Sequence, residues 1–380
     1  MIQTLNLMEN KLKGAGGTTN ALSKIALSCD VAFCQPTTII LAEHPSLCSV
    51  MWEVRVAGVK GLGVFANSFI PRGTRIFSER PLLAILKDQD TSTLYRATRR
   101  LSSQDRETLL DLSSHATKEK SLMRWNLAFW YIIKQTFSDL KIRIGGNGSF
   151  VAPRLNSVKE HVSVLNIFRS NAFNLGVNAK FQQAVFPGIS RINHSCIPNA
   201  QGNFHDVLGK FNVHAIRDIE VGEELTLSYL REHGALQASR QSSLFNGYTF
   251  NCDCPACDLT SIAGQKGEQS RSKMHDTLRE FAEYAGAQNH EEELRVIQLF
   301  IDLLEGEGIA GREVATMHLE AARLSQLLGH SDNALGFAEK GLEIEKDCLG
   351  TDHPLYQESL KLVQDMQATT AIASAETLHT

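Results

Sequence analysis

No stretch of this 380-residue chain approaches the eighteen or so apolar residues that a membrane span needs. Cysteine is sparse: Cys29, Cys34, Cys48, Cys196, Cys252, Cys254, Cys257 and Cys348, three of them within six residues and the rest single. That pattern lacks the dense, even spacing of a small disulfide scaffold, so a reducing compartment, nucleus and/or cytoplasm, is expected. There is no excess of basic charge. A formal net charge of −4 leaves no footprint of nucleic-acid binding, although it would not repel a basic protein. The first residues carry no basic–apolar–small signal-peptide pattern; they are poor in acids and include Lys11, Lys13 and Lys24, which leaves an organelle-targeting reading open. No hydrolase triad can be recognised. What remains is an ordinary globular composition, 43% hydrophobic and 21% charged, long enough for two or three domains.

The most informative stretch is Ser190-Arg191-Ile192-Asn193-His194-Ser195-Cys196-Ile197-Pro198-Asn199. Asn and Ser suit turns and Pro cannot donate to a ladder, so this is ordered loop. Flanking Ile189 and Ile192 and the strand-like segments downstream place it against a core. A polar loop so placed must satisfy every polar group, which points to a ligand, to an internal crossing of chain segments, or to a well-bonded structural loop.

Upstream, alternation over Trp52–Val56, the Lys60-Gly61-Leu62-Gly63 turn, and strand patterns over Val64–Ala66 and Thr74–Phe77 read as short β-strands joined by Gly/Pro turns. Two glycines two apart with strand residues following do not make a dinucleotide fingerprint. Leu101–Leu112, Met123–Phe137 and Val158–Phe168 have helical spacing, with Gly145–Gly148 as a loop between the last two. After the central loop a strand pair is expected, Ala200–His205 and Lys210–Ile216, then a turn at Gly222 and a strand ending on Tyr229. Helices are expected over His275–Tyr284, Glu291–Leu304, Val314–Leu328, Asp332–Cys348 and Pro354–Met366, with a frayed final dozen residues.

Asn193-His194-Ser195-Cys196-x-Pro198-Asn199 resembles the signature of the SET domain, the fold of many protein-lysine methyltransferases. Gly222-Glu223-Glu224-Leu225-Thr226-x-x-Tyr229 resembles its second signature, and Ser170-Asn171-Ala172-Phe173 an element that precedes the first in SMYD-like members. With no cysteine between Cys48 and Cys196, the chain lacks the zinc-binding MYND module that interrupts the domain in the SMYD subgroup.

The resemblance implies an α+β chain: a SET β-fold of short strands with a pseudoknot-like loop, a helical insert, a zinc-bound post-SET tail and a C-terminal helical, TPR-like domain. The expected boundaries are a flexible segment over 1–50, SET halves over 51–87 and 166–232, the insert over 88–165, the tail over 233–262 and the helical domain over 270–368.

Cys252-Asp253-Cys254-Pro255-Ala256-Cys257 offers three thiols where closed zinc sites take four. Free buried thiols and a Cys-x2-Cys redox pair are the competing readings. The post-SET resemblance adds Cys196 as the fourth ligand and brings the tail over a donor pocket.

The same resemblance implies methyl transfer from S-adenosylmethionine (SAM) to the ε-amine of a lysine in a protein substrate, histone or non-histone. Tyr229 would orient the amine and Tyr248 would line its channel. Asn193 and His194 would hold SAM, Lys60, Gly61, Leu62, Gly63 and Asn171 would close round its methionine end, and Phe250 would stack over it. No direct nucleic-acid binding, no membrane and a monomer are expected. The alternative is a catalytically inactive SET-like scaffold that binds protein partners through its helices.

Overall fold

The computed structural model describes residues 51–86, 93–114, 124–126, 128–130, 132–133, 155–176, 179–230, 234–284 and 289–377. The lead-in expected over 1–50 and the loop expected at Gly145–Gly148 lie outside them. The strands are β1 (Trp52–Val56), β2 (Leu62–Ala66), β3 (Arg75–Glu79), β4 (Leu83–Leu86), β5 (Ala172–Asn174), β6 (Phe181–Val185), β7 (Asn193–His194), β8 (Ala200–His205), β9 (Lys210–Ala215) and β10 (Glu224–Leu227). The helices are α1 (Leu94–Arg99), α2 (Ser103–Leu110), α3 (Leu155–Asn171), α4 (Gln237–Tyr248), α5 (Ile262–Tyr284), α6 (His290–Gly306), α7 (Arg312–Leu327), α8 (Ser331–Leu349) and α9 (Pro354–Thr377).

The strands form three small sheets, ordered β1-β2-β10-β7, β3-β9-β8 and β4-β6-β5. β1 and β2 are an antiparallel hairpin running from Trp52↔Ala66 to Val56↔Leu62, but β1 is not the half-buried strand that its alternation suggests, since Val54 and Val56 are exposed at the sheet edge. β10 pairs antiparallel with β2 and parallel with β7, which joins the first hairpin to the central loop. Val64, Ile70, Phe186, Ile189, Ile192, Val213, Ile219 and Leu225 close one core directly behind that loop. A second core forms where the apolar face of α3 (Val158, Val162, Leu165) meets Leu83, Ile85 and Leu109.

The architecture is α+β with a helical C-terminal region, as expected. The helices differ in extent from their periodicity. The run Leu101–Leu112 is broken at Ser102, whose Oγ accepts from Asp105 N at 3.0 Å and caps α2. α9 continues through Thr377 rather than fraying after Met366, in keeping with the alanines of that segment. α4 was not expected at all: its one strongly apolar turn, Leu244-Phe245, gives little periodicity.

The C-terminal helices pack in succession and dock on the β8–β9 hairpin. Arg72 pairs with Asp347 at 2.5 Å and Arg75 with Asp352, while Asn203 donates to Cys348 O at 3.2 Å. His214 on β9 is buried in this seam and accepts from Arg75 Nε at 3.1 Å, which requires a neutral Nε2. Burial first, then the Arg75 charge, hold its pKa down at about 4, against an ordinary 6.5. Between those values the unfolded chain binds more protons than the folded one, so stability falls as pH drops. Thermal melts should lose up to about 3 kcal/mol between pH 6.5 and 4 through this group, and His214→Gln should flatten that part of the pH dependence.

Candidate active site and metal centre

The central loop is held from both sides. The Glu79 carboxylate accepts from the Gly188 and Ile189 amides at 3.1 and 3.0 Å, fixing the turn over residues 189–191. Downstream, Ser195 N donates to Leu227 O at 3.0 Å. The Asn199 side chain, 1% exposed, accepts from Thr226 N at 2.8 Å and donates to Glu224 O and Glu223 Oε1, both at 2.9 Å. The loop and the β10 segment therefore cross and satisfy each other, the internal crossing that a buried polar loop requires.

Tyr229 follows β10 at this crossing. Its hydroxyl donates to Ile192 O at 2.7 Å, and its amide donates to His194 Nδ1 at 3.0 Å. Nδ1 as acceptor puts the ring proton on Nε2, which faces Cys196 Sγ at 3.4 Å. One imidazole thus spans from the tyrosine backbone to the thiol cluster. Burial, followed by Tyr248 and Glu224, pushes the Tyr229 phenol well above its ordinary pKa, so it stays neutral. Tyr248 ends α4, with its ring centroid 4.8 Å from that of Tyr229; Thr249 then turns through the left-handed region (φ 64°) and brings in Phe250, 6.1 Å from the His194 ring.

Two cavities share these tyrosines. The first, about 200 Å³, is lined by Lys60, Leu62, Asn171, Asn193, His194, Tyr229, Tyr248 and Phe250, together with Arg191 and Asp253. The second, about 480 Å³, also reaches Asn171, Tyr229 and Tyr248. Gly61 and Gly63 shape the first without lining it. Gly61 has φ 82°, and a Cβ on Gly63 would stand 2.7 Å from Glu224 Oε1 and 2.9 Å from Asn193 Nδ2. Asn193 donates to Leu62 O at 3.0 Å and to Glu224 Oε1 at 2.7 Å; Lys60 Nζ meets the other Glu224 oxygen at 3.1 Å. The Asn171 amide donates to Ser113 O at 2.7 Å and Ile167 O at 2.8 Å, so its nitrogen also anchors a helix end.

The Sγ atoms of Cys196, Cys252, Cys254 and Cys257 lie within 4.8 Å of one another, and all four residues are buried. Tetrahedral zinc with bonds near 2.3 Å sets S···S edges of about 3.8 Å; Cys196 stands 3.6 Å from Cys257 and 4.0 Å from Cys252. The four thiols fit a closed zinc site, and among the described residues no disulfide competes for them. Hydrogen bonds with Cys196 and then Cys252, with Arg240 adding to them, outweigh Cys254 and burial and lower the Cys257 pKa to about 7. α4 fixes the tail: Gln241 accepts from Cys252 N at 2.8 Å and donates to its carbonyl at 2.7 Å, while buried Arg240 donates to Ala256 O at 2.8 Å.

Residues 61–230 match the family model described as SET domain. The chain carries a SET domain. It is 26% identical over 306 residues to "Histone-lysine N-methyltransferase set5" of Schizosaccharomyces pombe, covering 80% of this chain and 81% of that one. It is 33% identical over 139 residues to human "Histone-lysine N-methyltransferase SMYD3", covering 34% of this chain but only 31% of that protein. Over 69 residues it is 44% identical to mouse "Protein-lysine N-trimethyltransferase SMYD5", 17% of this chain and 16% of the relative.

Two contributors within or beside this SET domain escaped the sequence reading. Glu224 stood in the second motif, but nothing in Glu223-Glu224 says which carboxylate turns toward Lys60 and Asn193 and which toward Arg217. α4 carries Tyr248 and grips the tail, yet its polar sequence hides it. Purified, tag-free protein should contain one zinc per chain, and cobalt substitution should give the intense visible bands of a tetrahedral thiolate site. Cys254→Ser should lose the metal and several kcal/mol of stability, read by thermal melting.

Proposed function

We propose that this chain is a SAM-dependent protein-lysine N-methyltransferase. The observation that carries the reading is the meeting of two cavities at Tyr229 and Tyr248, one for a methyl donor and one for an acceptor. The methyltransferase names of its relatives point the same way. In this reading residues 51–87 and 166–232 form the catalytic unit, 88–165 a helical insert, 233–262 a zinc-bound post-SET tail and 270–368 a helical, TPR-like domain.

The first cavity has groups suited to SAM: the Lys60 ammonium for its carboxylate, Asp253 for its ammonium and the Phe250 face for its adenine. When bound, SAM supplies an electrophilic methyl group on a sulfonium. The acceptor lysine must arrive neutral, because only the free amine has a lone pair. Packing its stem against the wall formed by the touching Tyr229 and Tyr248 rings strips water from the ammonium and lowers its pKa. The Tyr229 hydroxyl spends its proton on Ile192 O, which leaves oxygen lone pairs to accept an amine N–H and aim the nitrogen. A neutral phenol suits this task, since a phenolate would hold the amine protonated. Such alignment can supply on the order of 7–11 kcal/mol at best. His194 acts through position, holding the Tyr229 backbone with Nδ1 while Nε2 steadies Cys196.

The partner is a protein that presents a lysine, histone or non-histone. We also read the chain as an intracellular monomer, in nucleus and/or cytoplasm, without direct contact with nucleic acid or membrane; the free buried thiols among the described residues favour the intracellular reading, and the net charge of −4 the absence of a nucleic-acid footprint. Among the described residues no helix is long and apolar enough to cross a membrane.

Tyr229→Phe should keep SAM binding in calorimetry but lower kcat about a hundredfold. In the wild type, log kcat should rise with pH until the bound lysine is neutral, with no falling limb from Tyr229 near its ordinary pKa of 10. Undiminished methylation by the phenylalanine variant would remove the assignment.

A further inference from the structure

The acceptor cavity differs from the donor cavity in charge. On the donor side every cation has an anion at hand: Lys60 has Glu224 and Arg191 has Asp111. On the acceptor side two guanidiniums, Arg124 and Arg169, line the wall, and among the described residues no carboxylate lines it. The other polar groups there, Asn174, Gln183, Asn246 and Thr249 among them, are neutral. Arg169 sits exposed in the last turn of α3. Arg124 is half-buried and donates to Asn166 Oδ1, a neutral acceptor one turn earlier on the same helix. The two are close enough that burial and the Arg169 charge together pull the Arg124 pKa down.

We propose that Arg124 and Arg169 make the acceptor cavity selective for a target lysine flanked by acidic side chains, so that the substrate is an Asp/Glu-rich segment rather than a lysine- and arginine-rich tail. This rests on the methyltransferase reading and narrows its substrate class. A lysine entering past two guanidiniums meets like charge. A carboxylate beside it in the substrate reverses that cost, because guanidinium takes carboxylate in a planar, two-point contact. Basic neighbours add to the repulsion and are rejected, which gives discrimination by penalty as well as by attraction. The same positive wall disfavours the charged form of the lysine itself, so selectivity and activation act in one direction.

The test uses three peptides identical except at the positions two before and two after a single lysine, which are glutamate, alanine or arginine. Binding is read by fluorescence anisotropy with S-adenosylhomocysteine present, and turnover with labelled SAM. The full-length wild type should prefer the glutamate peptide over the arginine peptide by about tenfold, in KM rather than kcat, with the ratio shrinking as salt rises. Arg169→Glu should invert the order, Arg124→Gln with Arg169→Gln should level it, and Arg169→Lys should keep it in weakened form. Thermal melts confirm that each variant folds. Equal binding of the three peptides by the wild type, a preference for the arginine peptide, or an order indifferent to these substitutions would overturn the proposal. Absence of SAM-binding heat would instead refute methyl transfer, while the anisotropy series would still report on the arginines.

Discussion

Four thiols drawn from two places in the chain, Cys196 and the Cys252–Cys257 tail, converge to within 4.8 Å, and the site exists only because they do. Beyond the hydrogen bonds from Gln241 and Arg240, the tail has little else to hold it. Among the described residues the cluster around it contains Leu244 and Ala256 as its other buried apolar side chains, with Ile197, Leu230, Tyr229, Tyr248 and Phe250 packed on its edge. So small an apolar core cannot fix three aromatic rings by burial alone, and a metal bond network supplies the constraint that hydrophobic area does not. The tie also runs the other way: Cys196 is two residues from His194, whose ring reaches the Tyr229 backbone. Thiol cluster, imidazole and tyrosine form one chain of contacts, which is what an alignment-driven reaction asks of its scaffold.

How much of this the sequence disclosed follows from which physics each part uses. The hairpin of β1 and β2 and the pair of β8 and β9 were legible because alternation and Gly/Asp turns are local signals. The crossing of the loop with β10 was legible only as a demand, since Asn199 inside a core must find partners somewhere. That those partners are Thr226 and Glu224 is a long-range fact no window contains. Helix α4 was invisible for a related reason: it is stabilised by Arg240 and Gln241 reaching the tail and by Glu268 capping Gln237 N, not by an apolar stripe. The acidic pair at Glu223-Glu224 was recognised as a motif, yet its division of labour depends on strand facing set by the β2 pairing.

The two cavities impose opposite electrical demands. In the proposed reading, a zwitterionic, cationic donor needs both signs of charge nearby, and the Lys60–Glu224–Asn193 set together with Asp253 would provide them in compensated form. The acceptor must shed a proton, so a surplus of positive charge on its side is an asset, provided that the substrate brings carboxylates to offset it in binding. Tyr229 sits between the two with its proton committed to Ile192 O. Its raised pKa keeps it from becoming a base or an anion that would pull the lysine back to its protonated state.

Buried arginines complete the electrostatic account of the metal centre. Four thiolates around one divalent cation leave two net negative charges, which a low-dielectric interior penalises heavily. Arg240, whose side chain is wholly buried, donates to Cys257 Sγ at 3.6 Å. Arg271, also fully buried, pairs with Glu307 at 2.9 Å and carries a favourable interaction with Cys196. Each guanidinium would be costly alone, and so would the thiolate cluster. The two guanidiniums face the thiolates while Glu268 and Glu307 draw on the same cations, so α4, α5 and the tail share one charge network, and the C-terminal helices become part of what holds the aromatic residues in place. α5 and the Glu307 turn after α6, which line neither cavity, can in this way help to set the geometry of both.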